Sequence, residues 1–149
     1  MSTFDYTYEE RQRDVNAGLY VPFYIEAPVE DLEVTIGLED TEAITVSCQV
    51  VDPGGDAIEE RMEVRMTLFT DGDYDTLKGA APTDVTVDPS TGMILQEVGE
   101  DYDVKYLTDD AGALVLVFTD SNTGAQEFYL GFILPNGKFV EGGKVLFTA

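Results

Sequence analysis

From Leu32 onward the chain alternates apolar and polar positions with a period of two. Leu32-Glu33-Val34-Thr35-Ile36-Gly37-Leu38 is the first such run, Glu39-Asp40-Thr41-Glu42 turns it, and Ala43 to Val51 repeats it. Period two puts successive side chains on opposite faces of an extended backbone, so each run predicts a strand with one buried face. Met62, Val64, Met66 and Leu68 alternate with Glu63, Arg65 and Thr67 in a third strand that has one wet face. A loop from Thr70 to Pro82 follows. Thr83 to Val87, Met93 to Val98 and Tyr102 to Leu107 are short strands, the first two separated by a turn at Asp88-Pro89-Ser90-Thr91-Gly92.

The stretch from Thr108 to Thr148 carries the clearest punctuation. Ala113 to Thr119 follows Asp110-Ala111-Gly112, Glu127 to Leu134 follows Asn122-Thr123-Gly124, and Lys144 to Phe147 follows Gly142-Gly143. Pro135-Asn136-Gly137 is the sharpest turn in the chain, because Asn and Gly tolerate the positive φ that tight turns need. Eight or nine strands and no amphipathic helix result. The pattern predicts an all-β domain, an antiparallel sandwich or barrel, over residues 32–149.

Residues 1–31 read differently, as an irregular N-terminal arm or wrapping segment. Phe4, Tyr6, Tyr8, Tyr20, Phe23 and Tyr24 lie within the first 24 residues, six of the chain's eight Tyr and eight Phe. Pro22 and Pro28 discourage regular pairing through the second cluster. Two readings stay open: the segment wraps its own domain, or it orders its aromatics against a neighbouring subunit, where Tyr and Phe are favoured contacts.

Charge then narrows the function. Thirty acidic residues against eight basic ones give a net charge of −22. Phosphate backbones and anionic membrane surfaces repel such a chain, so neither nucleic acid nor membrane is an expected partner. High charge supports solubility, contact with a basic partner, or adaptation to high salt. The sequence has no His, which excludes His-based hydrolysis and His-ligated zinc or haem. Its single Cys, Cys48, is in phase with Ile44, Val46 and Val50 and reads as a buried apolar residue. The N-terminus lacks the apolar core of a secretion signal and no apolar run approaches the ~18 residues of a membrane span, so synthesis in the cytoplasm is expected.

Candidate chemistry is thin. Asp71-Gly72-Asp73-Tyr74-Asp75 opens like a calcium loop, but Thr76 and Pro82 stand where an EF-hand needs Gly and Glu, so it reads as a solvated acidic loop. Paired carboxylates carry no information in so acidic a chain, and the Gly turns at 110–112 and 135–137 do not open the strand–loop–helix unit of a phosphate site. No enzyme activity, catalytic residue, metal or cofactor is expected.

Val50-Val51-Asp52-Pro53-Gly54-Gly55 followed by Thr108-Asp109-Asp110-Ala111-Gly112-Ala113-Leu114 resembles bacterial immunoglobulin-like domains of the invasin and intimin type. The close, from Phe128-Tyr129-Leu130 through Leu134-Pro135-Asn136-Gly137-Lys138 to Gly143-Lys144-Val145-Leu146-Phe147, looks more specifically like small accessory structural proteins of tailed phages. The Cys pair and core Trp of antibody domains are missing, so only the sandwich architecture carries over. The resemblance implies an immunoglobulin-like sandwich in a virion, made in the host cytoplasm. Such a protein would decorate or cement the head by binding the major capsid protein or another virion protein, with self-association on the particle a further expectation. The six N-terminal aromatics would then take part in docking. An adhesion module binding a carbohydrate or host surface protein through loops such as Asp71–Asp75 and Asp120–Gly124, a neck or tail component, and a salt-adapted domain of other purpose are the alternatives.

Overall fold

A computed structural model describes residues 30–80, 82, 84–121 and 124–148. Nine strands form among them: β1 (Asp31–Ile36), β2 (Ala43–Val51), β3 (Glu63–Phe69), β4 (Val85–Thr91), β5 (Met93–Gly99), β6 (Asp103–Leu107), β7 (Ala113–Asp120), β8 (Gln126–Ile133) and β9 (Phe139–Phe147). They make two antiparallel sheets, ordered β1-β2-β7-β4 and β5-β6-β3-β8-β9. With β5 and β6 set aside, this is the A-B-E-D and C-F-G strand order of a constant-type immunoglobulin sandwich. The β5–β6 hairpin is inserted between the fourth and fifth strands of that plan and extends the second sheet beyond β3.

The period-two pattern is the cause of the layering. Ile44, Val46, Cys48 and Val50 of β2 face Val64, Met66 and Leu68 of β3 and Phe128, Leu130 and Phe132 of β8 across one continuous core. Phe118, Phe128, Phe132, Phe147 and Tyr106 are its largest fully buried side chains. Burying each such ring removes apolar surface worth about 1.5–3 kcal/mol from water. The Asp-rich turns are held by side-chain caps. Asp52 Oδ1 accepts from the Gly54 and Asp56 amides at 2.9 Å, and Asp109 Oδ1 accepts from those of Ala111 and Ala113, also at 2.9 Å. These are the two motifs that carry the adhesin resemblance, and they meet at one end of the sandwich, where the Val50 amide donates to Gly112 O at 3.0 Å.

Two sequence expectations are corrected. The turn expected at Asp88–Gly92 is strand: β4 continues to Thr91, and the chain changes sheet at Gly92 alone. Gly92 has φ 91°, and a Cβ there would stand 2.7 Å from Leu107 O and 2.8 Å from Leu114 Cδ1, so the corner admits only glycine. The turn expected at Gly142-Gly143 is also strand. β9 starts at Phe139 and runs through both glycines, with a bulge against Leu130 and Gly131. A Cβ on Gly142 would meet Phe132 Cε2 at 2.6 Å, so these glycines let β9 pass over a core ring and do not end the strand.

Candidate binding surface on the five-stranded sheet

On the outer face of the second sheet the polar alternation breaks down. Arg65, Thr67 and Phe69 point outward from β3, Tyr129, Gly131 and Ile133 from β8, and Phe139 from the start of β9, by registers that pair Thr67 with Gly131 and Ile133 with Phe139. The loop after β3 folds back over this face. Its Tyr74, at φ 58°, lays its ring edge-on against Phe69 (centroids 5.3 Å), Phe139 (5.7 Å) and Tyr129 (6.0 Å). Tyr74 Oη accepts from the Gly143 amide at 3.0 Å, which ties the loop to the β9 bulge. Burial raises the Tyr74 phenol pKa above the usual tyrosine value.

Asp73 and Asp75 are exposed, as expected of an acidic loop, but the packing of Tyr74 fixes the loop to the sheet in a way its charge did not indicate. One aromatic in it supplies the anchor, and its carboxylates ride at the rim. Asp71 Oδ1 is buried there and, among the described residues, has no hydrogen-bond partner. No group of three or more acidic or Cys side chains among the described residues converges as metal ligands.

Beside the rings lies an open groove of about 420 Å³, lined by Arg65, Thr67, Phe69, Tyr74, Leu77, Asp103, Ile133 and Phe139. A hollow of about 150 Å³ adjoins it, sharing Thr67, Leu77 and Asp103 and reaching Lys78 and Tyr102. The floor is polar and preset. Arg65 Nε donates to Asp103 Oδ1 at 2.8 Å and Nη2 to Oδ2 at 2.7 Å, a two-bond fork across β3 and β6. That bond to Asp103 raises the Arg65 pKa still further. Thr67 is 7% exposed, and its hydroxyl has no partner among the described residues. Apolar walls, a few convergent polar groups and this volume are the general features of a binding pocket.

Gly131 makes the wall possible. A Cβ there would sit 2.5 Å from Phe69 Cε1 and 2.7 Å from the Phe139 ring, so only glycine lets the two rings meet edge-on at 5.7 Å over β8. Sequence reading took β3's outer face as simply wet and missed Thr67, Phe69, Leu77 and Phe139. A visible signal existed: Phe69 occupies an outward position in the alternation, and Gly131 interrupts Phe128-Tyr129-Leu130-Gly131-Phe132. The six N-terminal aromatics singled out for docking, Phe4, Tyr6, Tyr8, Tyr20, Phe23 and Tyr24, lie outside the described residues. Cys48 is buried as expected, and desolvation pushes its thiol up to about 12.

No family model and no curated protein matches the sequence. Among solved structures, the chain is similar to a lipoprotein from Bacteroides thetaiotaomicron at 20% identity and TM-score 0.47, covering 87% of this chain and 85% of that one. A conjugate transposon protein fragment from Bacteroides vulgatus follows at 14% identity and TM-score 0.45, with 87% and 91% covered. The GAE domain of GGA2p from Saccharomyces cerevisiae gives 10% identity and TM-score 0.30, with 85% and 93% covered. These likenesses assign no activity.

Proposed function

We propose that this protein is a non-enzymatic docking module that decorates or cements the head of a tailed phage, seating on the assembled lattice through the groove of its five-stranded sheet. The observation that carries the docking part is the aromatic groove over the Arg65–Asp103 fork with its unpartnered Thr67 hydroxyl. A partner segment suited to it places an apolar side chain against Phe69, Tyr74 and Phe139. The choice of a virion partner rests on the resemblance of the Phe128–Phe147 stretch to phage accessory proteins. The net charge of −22 supports it in two ways. It keeps free copies apart before assembly, and it favours a basic acceptor surface. Binding the lattice and not its free subunits would stabilise the particle by mass action.

Co-sedimentation with capsids of the source phage tests this reading. Saturating, lattice-like stoichiometry is expected, reduced at least about tenfold (1.4 kcal/mol) by Leu77→Glu, which places a charge on an exposed groove residue. Failure of the wild-type protein to co-sediment sinks the virion reading. Unreduced binding of the variant removes the groove from it. The adhesion alternative keeps a specific foothold, because Tyr74 of the Asp71–Asp75 loop forms one wall of the groove. Saccharide binding without capsid binding would favour it.

A further inference from the structure

The antiparallel registers set the outer face of the five-stranded sheet in rows that cross the strands. One row runs Asp103, Thr67, Gly131, Glu141 from β6 to β9. It is a low row, because Thr67 is small and Gly131 has no side chain. Arg65, Ile133 and Phe139 stand along one side of it, Phe69 and Tyr129 along the other. The groove follows this row from Asp103 to the point where Phe69 and Phe139 meet over Gly131. Its two ends differ in charge. At the Asp103 end the carboxylate is forked by the Arg65 guanidinium, so the floor there is close to neutral. Past the rings stands Glu141, opposite Gly131 and two residues before Gly143, whose amide donates to Tyr74 Oη at 3.0 Å. Asp73 and Asp75 flank Tyr74 in the loop. These three carboxylates are exposed, and none takes part in an ion pair among the described residues. A wall of rings is thus backed by a rim of unpaired negative charge.

On the reading that this groove docks a partner, we propose that its aromatic end takes a Lys or Arg side chain of that partner, placed two residues along an extended segment from the apolar side chain that fills the groove. Spacing fits. From Thr67 on β3 to Glu141 on β9 is two strand spacings, roughly 10 Å. Alternate residues of an extended segment point the same way roughly 7 Å apart, and a long basic side chain covers the remainder. Phe139 is 40% exposed, so the aliphatic stem packs on its ring while the charge reaches the rim. Aromatic rings also favour a cation over a neutral or anionic group. The alternatives fit less well. An acidic side chain would face like charges at the rim, and the net charge of −22 repels an acidic segment before contact. An apolar or amide side chain would leave the rim carboxylates with water alone and gain nothing from them.

Amide chemical shifts of the full chain, followed as blocked peptides are added, test this. The peptides are Ser-Leu-Ser-Lys-Ser and its versions with Glu or Gln in place of Lys. The Lys peptide should shift the Thr67, Tyr74 and Gly131 amides and bind at least about tenfold more tightly than the other two, with the preference shrinking as salt is raised. A variant carrying Asp73→Asn, Asp75→Asn and Glu141→Gln should bind the Lys and Gln peptides equally, while unshifted β2 and β7 amides report an intact sandwich. Equal binding of the Lys and Gln peptides by the wild-type protein overturns the proposal. So do tighter binding of the Glu peptide, a Lys preference that survives in the variant, and an absence of groove shifts with all three peptides at millimolar concentration. Capsid co-sedimentation separates this result from the virion reading. Capsids ignored by a protein that still selects the Lys peptide remove the lattice and leave the basic preference standing. Capsids bound equally by wild type and variant remove the preference and leave docking.

Discussion

Gly131 shows how one missing side chain shapes a surface. Its absent Cβ is the space in which Phe69 and Phe139 meet, so Gly131→Ala must displace a ring or bend β8. A loss of about 1–3 kcal/mol is expected in denaturant melts, together with loss of ligand binding in the groove. Cys48 shows the opposite case, a reactive group made inert. With its pKa pushed to about 12 by burial, it should not react with a thiol reagent at pH 8 in the native protein and should titrate fully in denaturant. Asp101, at φ 64°, accepts from the Val87 amide at 3.1 Å, yet burial raises its pKa above the ordinary carboxylate value. Because the folded carboxyl holds its proton more tightly than the unfolded one, this group destabilises the fold at neutral pH. Its effect fades as pH falls from above the raised value to below about 3.8. Asp101→Asn keeps the acceptor and tolerates the positive φ. It should raise stability at pH 7 relative to wild type, with the difference shrinking as pH falls and disappearing only below about 3.8 in parallel urea melts.

At the scale of elements, the turns explain why the sequence motifs are where they are. Thr108 is fully buried between β6 and β7; its Oγ1 accepts from the Met62 amide at 2.9 Å and donates to Glu60 O at 3.1 Å. It thereby pins the loop before β3 to the end of β6. Thr108→Val keeps the shape and strands two backbone groups, so a loss of about 1–3 kcal/mol in thermal or denaturant unfolding is expected. The Thr-Asp-x-x-Gly pattern thus has a mechanical meaning: the Thr ties the loop before β3 to the end of β6, the Asp caps the turn, and Gly112, at φ 76° with Ile58 O 2.1 Å from an added Cβ, has no room for a side chain. That chemistry is compatible with many functions, which is why a resemblance built on it pointed to a fold more firmly than to a partner.

For the whole molecule, carboxylates dominate. The ion pairs Lys138–Asp31 (3.2 Å) and Lys144–Glu127 (3.1 Å) lie in solvent, which screens them and leaves them little stabilising effect. They cannot offset the self-repulsion of a net charge of −22. Stability should therefore rise as salt is raised from about 0.01 M, where the Debye length is near 30 Å, to 0.15 M, where it is near 8 Å. A melting temperature that is flat or falls over that range would show that the charges are too well spread to matter.

The strand positions of the core, the all-β class and the burial of Cys48 were legible in the sequence, because a period of two forces alternate residues to one face whatever the partners are. The left-handed turns at Gly112 and Gly137 were legible for a similarly local reason. Strand pairing was not. Asp88–Thr91 and Gly142–Gly143 carry turn residues locally, and only pairing with β7 and with β8 makes them strand. The groove was least legible of all. Arg65 and Asp103 are 38 residues apart, and Tyr74 and Gly143 are 69 apart. Charge and alternation describe each of those residues alone, whereas the groove exists only where antiparallel registers and a folded-back loop set them side by side.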